Sequence, residues 1–386
     1  MKPLSDRTAN FTDSVIRRMT RICLEYGAVN LSQGFPDFEP PKEITRRLAA
    51  VAEEGPHQYA VTWGAANFRT ALAEKQSRFM NRAVNPETEI VVTCGSTEAM
   101  MAAMMTVVNP GDKAILFSPF YENYGADAIL SGAEPIYVPL VPPDFRFDPN
   151  TLEDAFKQKP KALILCNPSN PSGRAFTMEE LSVIAELAQK YDAFVITDEV
   201  YEHIVYAPRK HIYIASLPGM AERTICCSSL SKTYSITGWR LGYIIAPDYI
   251  AETARKVHDF LTVGAAAPLQ EAAVPALYFP DKYYQELLAA YAEKRELFVQ
   301  GLRSLGIPCN EPEGAYYVMA DISEYGYESD LLFCEELARK AGVGAVPGSS
   351  FFRENINAYI RFHFAKKQET LNEALNRLAD IKKKMS

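Results

Sequence analysis

From about residue 88 onward, short and continuously apolar runs alternate with segments of helical period, and this pattern narrows the fold furthest. EIVVTC (89–94) leads into a helical stretch through Val108. KAILF (113–117), ALILC (162–166), AFVIT (193–197), RTICCS (223–228) and LGYIIAP (241–247) continue the series, with a helix over Met178 to Tyr191. A strand apolar at every position is covered on both faces. The pattern therefore predicts an α/β fold, with a mostly parallel central sheet sandwiched by helices. Ligands of such sheets sit at the carboxyl ends of the strands, so chemistry is sought just after each apolar run.

Helical patterns resume near 281–305 and 328–341, and AYYVMADI (315–322) and the alternating AYIRFHF (358–364) add further strands. These read as a smaller α+β unit, which the first 40 residues, lacking a strand run, could join. The 386 residues alone suggest two to three domains. The placement of the candidate site residues sharpens this to a large domain over 41–280 and a discontinuous small domain, 1–40 with 281–386.

Composition excludes several classes. Basic residues number 40 and acidic ones 48, a net charge of −8, which argues against a nucleic-acid binder. The longest apolar run, Ala99 to Val108, is too short to span a membrane and reads as a buried helix. The N-terminal MKPLSDRTANFTDS has no apolar core of a secretory signal. Seven cysteines without a CxxC pair point to a reducing, cytoplasmic setting, and five histidines without HExxH spacing give no support to a metal site.

The strand ends carry the chemistry. Gly95-Ser96-Thr97 opens a helix and suits an anion such as phosphate, although a Ser cap explains it equally and Glu98 would oppose an anion. Tyr121, after the next strand, could stack on a planar ring or simply pack. Asn167-Pro168-Ser169-Asn170-Pro171 is a rigid mount for an Asn side chain, or a turn. Asp198 ends an apolar strand and, if buried, needs a cationic or donor partner such as a protonated ring nitrogen, with Tyr201 turned the same way; helix capping is the alternative. Lys232 lies in SSLSKTYSITGWRLG between two buried strands, where a desolvated amine can form a Schiff base. Arg240 could clamp a phosphate, and Arg361, interrupting AYIRFHF, binds either a buried carboxylate or an anionic ligand.

In combination and order these motifs resemble the class I aminotransferases, pyridoxal phosphate (PLP) enzymes of fold type I. The resemblance runs from NLSQGFPDFEPP (30–41) through HQYAVTWG (57–64), NPSNPSG, DEVYEH and SSLSKTYSITGWRLG to IRFHFAKKQETL (360–371). QGFPDF and FAKK are closest to the kynurenine aminotransferase/glutamine transaminase K and methionine aminotransferase branch. The resemblance implies that Lys232 carries PLP as a Schiff base and shuttles a proton, and that Asp198 pairs with the ring nitrogen. It implies that Tyr201 and Asn170 bond the phenolic oxygen, that Tyr121 stacks on the ring, and that Ser96, Thr97, Ser229 and Arg240 surround the phosphate. Tyr59 would reach the phosphate from a neighbouring subunit of a homodimer with shared sites. Arg361, assisted by Gly34 and Asn170, would bind the α-carboxylate of an amino acid in a ping-pong exchange with a 2-oxo acid. Aspartate-specific relatives of one branch carry Lys where this chain has Thr97, so neutral, aromatic or sulfur-containing donors are expected. A β-lyase acting on cysteine conjugates and an aspartate aminotransferase remain the alternatives on this fold. A dinucleotide dehydrogenase is disfavoured because no GxGxxG follows the first strand.

Overall fold

The structure is a computed structural model that describes residues 2, 4–5 and 14–385. Residues 6–13, part of the segment 1–40, lie outside the described residues. In chain order the strands are β1 (Val29–Asn30), β2 (Ile90–Thr93), β3 (Lys113–Ser118), β4 (Glu134–Pro139), β5 (Ala162–Cys166), β6 (Phe194–Asp198), β7 (Thr224–Ser229) and β8 (Gly242–Ile245). β9 (Tyr317–Asp321), β10 (Val343–Gly344), β11 (Val346–Pro347) and β12 (Tyr359–His363) follow.

A seven-stranded sheet has the order β2-β8-β7-β6-β5-β3-β4. β8 runs antiparallel to both neighbours, and the other pairings are parallel. Successive side chains on a strand go to opposite faces, and both faces are packed. Leu163, Leu165 and Val195 meet Leu181, Ile184 and Ala188 of the helix Met178–Lys190. Ile164, Ile196 and Ile225 meet Ala99 and Ala103 of the helix Ser96–Val107. That helix carries most of the long apolar run, which is buried except at Met101, Met105 and Thr106.

Register sets the site. Cys166 pairs with Asp198, and Asp198 with Cys227, so β5 and β6 end level and β7 runs two residues beyond them to Ser229. Gly242 opens β8 opposite both Ser229 and Thr93. The reversal of β8 therefore brings Arg240, which precedes its strand, to the edge where the neighbouring strands finish. This corrects the expectation that site residues only follow their strands.

A second, antiparallel sheet has the order β11-β12-β9, with Arg361 opposite Met319 and Val346. β1 pairs in parallel with β10, so residues before 40 do contain a short strand and join it to the C-terminal part of the chain. β4 carries no sequence signal because EPIYVP is an edge strand with a proline at each end of its apolar part and mostly half-buried side chains.

Candidate active site

A cavity of about 400 Å³ opens at the carboxyl edge of the large sheet, and eleven of the twelve sequence-predicted site residues line it: Gly34, Ser96, Thr97, Tyr121, Asn170, Asp198, Tyr201, Ser229, Lys232, Arg240 and Arg361. Tyr59 does not; it is 84% exposed. A larger cavity of about 690 Å³ holds none of these residues. Three of its arginines are already engaged, Arg174 with Glu180, Arg209 with Glu313 and Arg295 with Glu311.

At one end of the site the chain passes from β2 through Gly95 into the helix Ser96–Val107. Gly95, not Ser96, is the capping residue, and no side chain satisfies the first-turn amides. A capping serine is thereby excluded, and the free amides remain available to an anion. Glu98 does not oppose one: its carboxylate turns back to the Cys94 amide, His258 Nδ1 and the Thr262 hydroxyl. Arg240 hangs over this turn, its Nη2 donating to the Cys94 carbonyl at 3.4 Å. Gly95 has φ +84°, and a Cβ there would lie 2.3 Å from Arg240 Nη2. The glycine is needed both for the turn and for the room the guanidinium occupies. Ser229, whose hydroxyl accepts from the Ser231 amide at 3.3 Å, faces the same end.

The middle of the cavity is acidic on one side and basic on the other. Asp198 ends β6 and is 6% exposed. Its carboxylate accepts from the Tyr124 hydroxyl at 2.6 Å and from the Val200 amide at 3.3 Å. Burial raises its pKa to about 6, against the pull of those donors and of Lys232. Lys232 Nζ donates to the Gly34 carbonyl at 3.2 Å. Desolvation brings its pKa down to about 8; Asp198 works in the opposite direction, while Arg240 and Arg361 reinforce the fall. Tyr201 shares a 2.9 Å hydrogen bond with the Tyr317 hydroxyl. Tyr121 stands edge-on to Tyr124, ring centres 5.8 Å apart.

Arg361 closes the other end and is 1% exposed. Nη1 donates to Asn170 Oδ1 at 2.7 Å and Nη2 to the Ser32 carbonyl at 2.7 Å. Tyr317 and Phe351 flank the guanidinium at 4.4 and 4.7 Å. Among the described residues no carboxylate pairs with it, so its second N–H on each Nη stays uncommitted. The structural alternative, a buried carboxylate partner, is not found among the described residues. Asn167, the other asparagine of the motif, is purely structural: it bonds the Phe176 amide and the Ile212 carbonyl.

Sequence reasoning missed Tyr124, Tyr317 and Ser32. Tyr124 lies one turn after Tyr121 and looks like any aromatic of an amphipathic helix; Ser32 acts through a carbonyl, which leaves no sequence sign.

The family profile for aminotransferase class I and II matches residues 26–378. The probable N-succinyldiaminopimelate aminotransferase of Mycobacterium tuberculosis is 36% identical, over 97% of each chain. The methionine aminotransferase of Escherichia coli is 34% identical, over 95% of this chain and 96% of its own. Solved structures of the enzymes so described from these two organisms superpose with TM-scores of 0.94 each, covering 98% of this chain and 99% and 100% of theirs. A buried acid and a desolvated lysine at strand ends, with an arginine inside β12 that no described carboxylate pairs, thus stand in a chain that belongs, over nearly its whole length, to the class I and II aminotransferases, enzymes that use pyridoxal 5'-phosphate.

Proposed function

We propose that this enzyme transfers the amino group of a neutral, aromatic or sulfur-containing L-amino acid to a 2-oxo acid. The observation that carries the reading is Arg361, a buried guanidinium with two free N–H groups and, among the described residues, no carboxylate partner. A planar fork of this kind binds a carboxylate bidentately. Both amino acid and 2-oxo acid present an α-carboxylate, so one anchor serves both halves of a ping-pong exchange.

The residues present fit the cofactor. The uncapped amides of Ser96 and Thr97, the hydroxyl of Ser229 and the guanidinium of Arg240 form a cradle for a phosphate dianion, which a Cβ at Gly95 would fill. Asp198 would accept the hydrogen bond of a protonated ring nitrogen, and Tyr201 and Asn170 would serve the phenolic oxygen, with Tyr121 against the ring. When bound, PLP supplies an aldehyde that captures amines and a ring that draws electrons from the substrate Cα. Lys232 Nζ, neutral above pH 8, is the base for the Cα proton, and Gly34 O keeps the amine oriented in the cavity.

The pH dependence follows from the two shifted groups. Lys232 must be unprotonated to attack and Asp198 must be ionised to hold the ring. The rate at which apoenzyme captures PLP should therefore rise with pH to a plateau just above pH 8, and should fall away below pH 6. Stopped-flow absorbance checks this. A rate still climbing at pH 10, as for an ordinary lysine, would count against the desolvated amine.

For the donor side chain, Thr97 stands where a lysine would favour aspartate, and the Glu122 carboxylate also lines the cavity. The remaining cation of the lining, Arg17, is on an exposed rim. Methionine, phenylalanine and glutamine, tested against aspartate with a common 2-oxo acid, should show kcat/KM at least about tenfold higher. A preference for aspartate would overturn the substrate assignment.

The same reading divides the chain into a cofactor-bearing domain, 41–280, and a small domain of 1–40 with 281–386, supported by the β1–β10 pair. It also makes the enzyme a homodimer in which Tyr59 completes the partner's phosphate site. Tyr59, Val61, Phe260, Leu261 and Val263 are large exposed apolar side chains, Phe260 at 92%. His258 Nε2 bonds the Thr62 carbonyl at 3.0 Å, so the two segments that carry them lie together, beside Glu98 and the phosphate turn. A contiguous apolar patch of this kind marks an interaction surface. Sedimentation should give twice 43.1 kDa, and Phe260→Asp should shift the mass toward the single chain. A wild-type monomer with full activity would overturn the shared site. Seven free cysteines support a reducing compartment, the cytoplasm.

A further inference from the structure

Directly after Tyr201, the chain carries Glu202 and His203, which face away from the cavity into a closed polar network. Lys75, from the helix Ala66–Met80, donates its three ammonium N–H groups to Gln76 Oε1 at 2.7 Å, Glu202 Oε1 at 3.1 Å and His203 Nε2 at 2.8 Å. His203 must then be neutral with its proton on Nδ1, in keeping with burial and the Lys75 charge, which bring its pKa down to about 4. Glu202 accepts in addition from Gln76 Nε2 at 3.1 Å, the Tyr213 hydroxyl at 2.6 Å and the Tyr243 hydroxyl at 3.3 Å. Every donor of Lys75 and four lone-pair positions of Glu202 are used. The rings of Phe79 and Tyr284 lie 5.1 and 5.6 Å from the ammonium.

A buried ion pair is a poor way to gain stability, because an apolar pair of equal volume does as well or better. Where one persists it can instead fix geometry, and its placement here gives it something to fix. The network ties the turn after β6, which bears Asp198 and Tyr201, to Tyr243 of β8, the strand that follows Arg240. Lys75 and Glu202 also border one gap with Ser229 and Thr233, on either side of the turn that carries Lys232. None of the network side chains lines the active-site cavity.

We infer that Glu202 is a positioning residue: held by Lys75, Gln76, Tyr213 and Tyr243, it sets the height of Tyr201 and so the hydrogen bond that Tyr201 offers to the cofactor's phenolic oxygen. This rests on the role given to Tyr201 above. A hydroxyl donating to that oxygen favours its anionic form and lowers the pH at which the bound cofactor's visible band titrates. A displaced Tyr201 raises that pH.

The test is a spectrophotometric pH titration of PLP-loaded wild type, Glu202→Gln, Tyr213→Phe and Tyr201→Phe. For Glu202→Gln the midpoint should rise by about one pH unit, and kcat should fall about tenfold with KM for the donor within about twofold. Tyr213→Phe, which removes the 2.6 Å donor without creating a buried charge, should move it the same way by less. It decides the matter if Glu202→Gln does not fold. Tyr201→Phe should raise the midpoint at least as much as either. Midpoints of Glu202→Gln and Tyr213→Phe equal to wild type beside a shifted Tyr201→Phe would overturn the positioning role, whatever happens to thermal stability. An unshifted Tyr201→Phe would overturn the role of Tyr201 and this inference with it.

Discussion

Lys232→Ala should lose transamination by at least about a thousandfold while the protein folds and melts as before. The expected loss is large because the proposed role gives one side chain two duties, capture of the cofactor aldehyde and removal of the Cα proton, and among the described residues no second amine lines the cavity. The fold should survive for a local reason. The Gly34 carbonyl that accepts from Lys232 also accepts from the Tyr316 hydroxyl at 3.0 Å, so it is not left bare. The substitution also removes a cation that desolvation holds at a pKa of about 8. Steady-state kinetics and a thermal melt of the same preparation check both halves. A Lys232→Ala enzyme retaining more than about one per cent of wild-type turnover would remove the lysine from its role.

The second large effect is expected at Arg361. Arg361→Met should reduce kcat/KM for donor and acceptor alike by a few hundredfold, about 3–4 kcal/mol for a lost buried fork to a carboxylate. Arg361→Lys should recover only part of this, since a point charge cannot grip both oxygens. Stability should shift by no more than about 1 kcal/mol, because relief of an uncompensated buried charge offsets the bare acceptors left on Asn170 and Ser32. The expected pattern is lost binding without lost folding. Unchanged KM for both substrates in Arg361→Met would show that the α-carboxylate binds elsewhere.

How far the site was legible in the sequence depended on where each cause resides. Lys232, Asp198 and Arg240 stand in short motifs beside apolar strands, and strand-end position alone brought them near one another. Their chemistry was less visible. Glu98 reads as an anion's opponent until His258, 160 residues away, is found to hold it. Arg361 reads either as one half of an ion pair or as a ligand's anchor; that no carboxylate among the described residues pairs with it is a fact of three dimensions. Arg240 precedes its strand, and only the reversal of β8 explains why it is at the site. β1 and β4 escaped notice because a two-residue strand has no period and an edge strand flanked by prolines has no continuous apolar run. Tyr59 is exposed in the single chain, and the role proposed for it needs a second subunit, which no motif of one chain displays.

The reversed strand has a bearing on how this chain can change its length. Each parallel crossover leaves the catalytic edge, travels the height of the sheet and returns, so insertions can accumulate at the far edge unseen by the chemistry. Between β7 and β8 the chain never leaves. Ser229 ends β7, and Lys232 and Arg240 follow on that one connection, so a single residue added or removed there displaces the proposed phosphate anchor and the proposed catalytic amine together. Over evolutionary drift this short span should tolerate substitution at many positions and insertion at none.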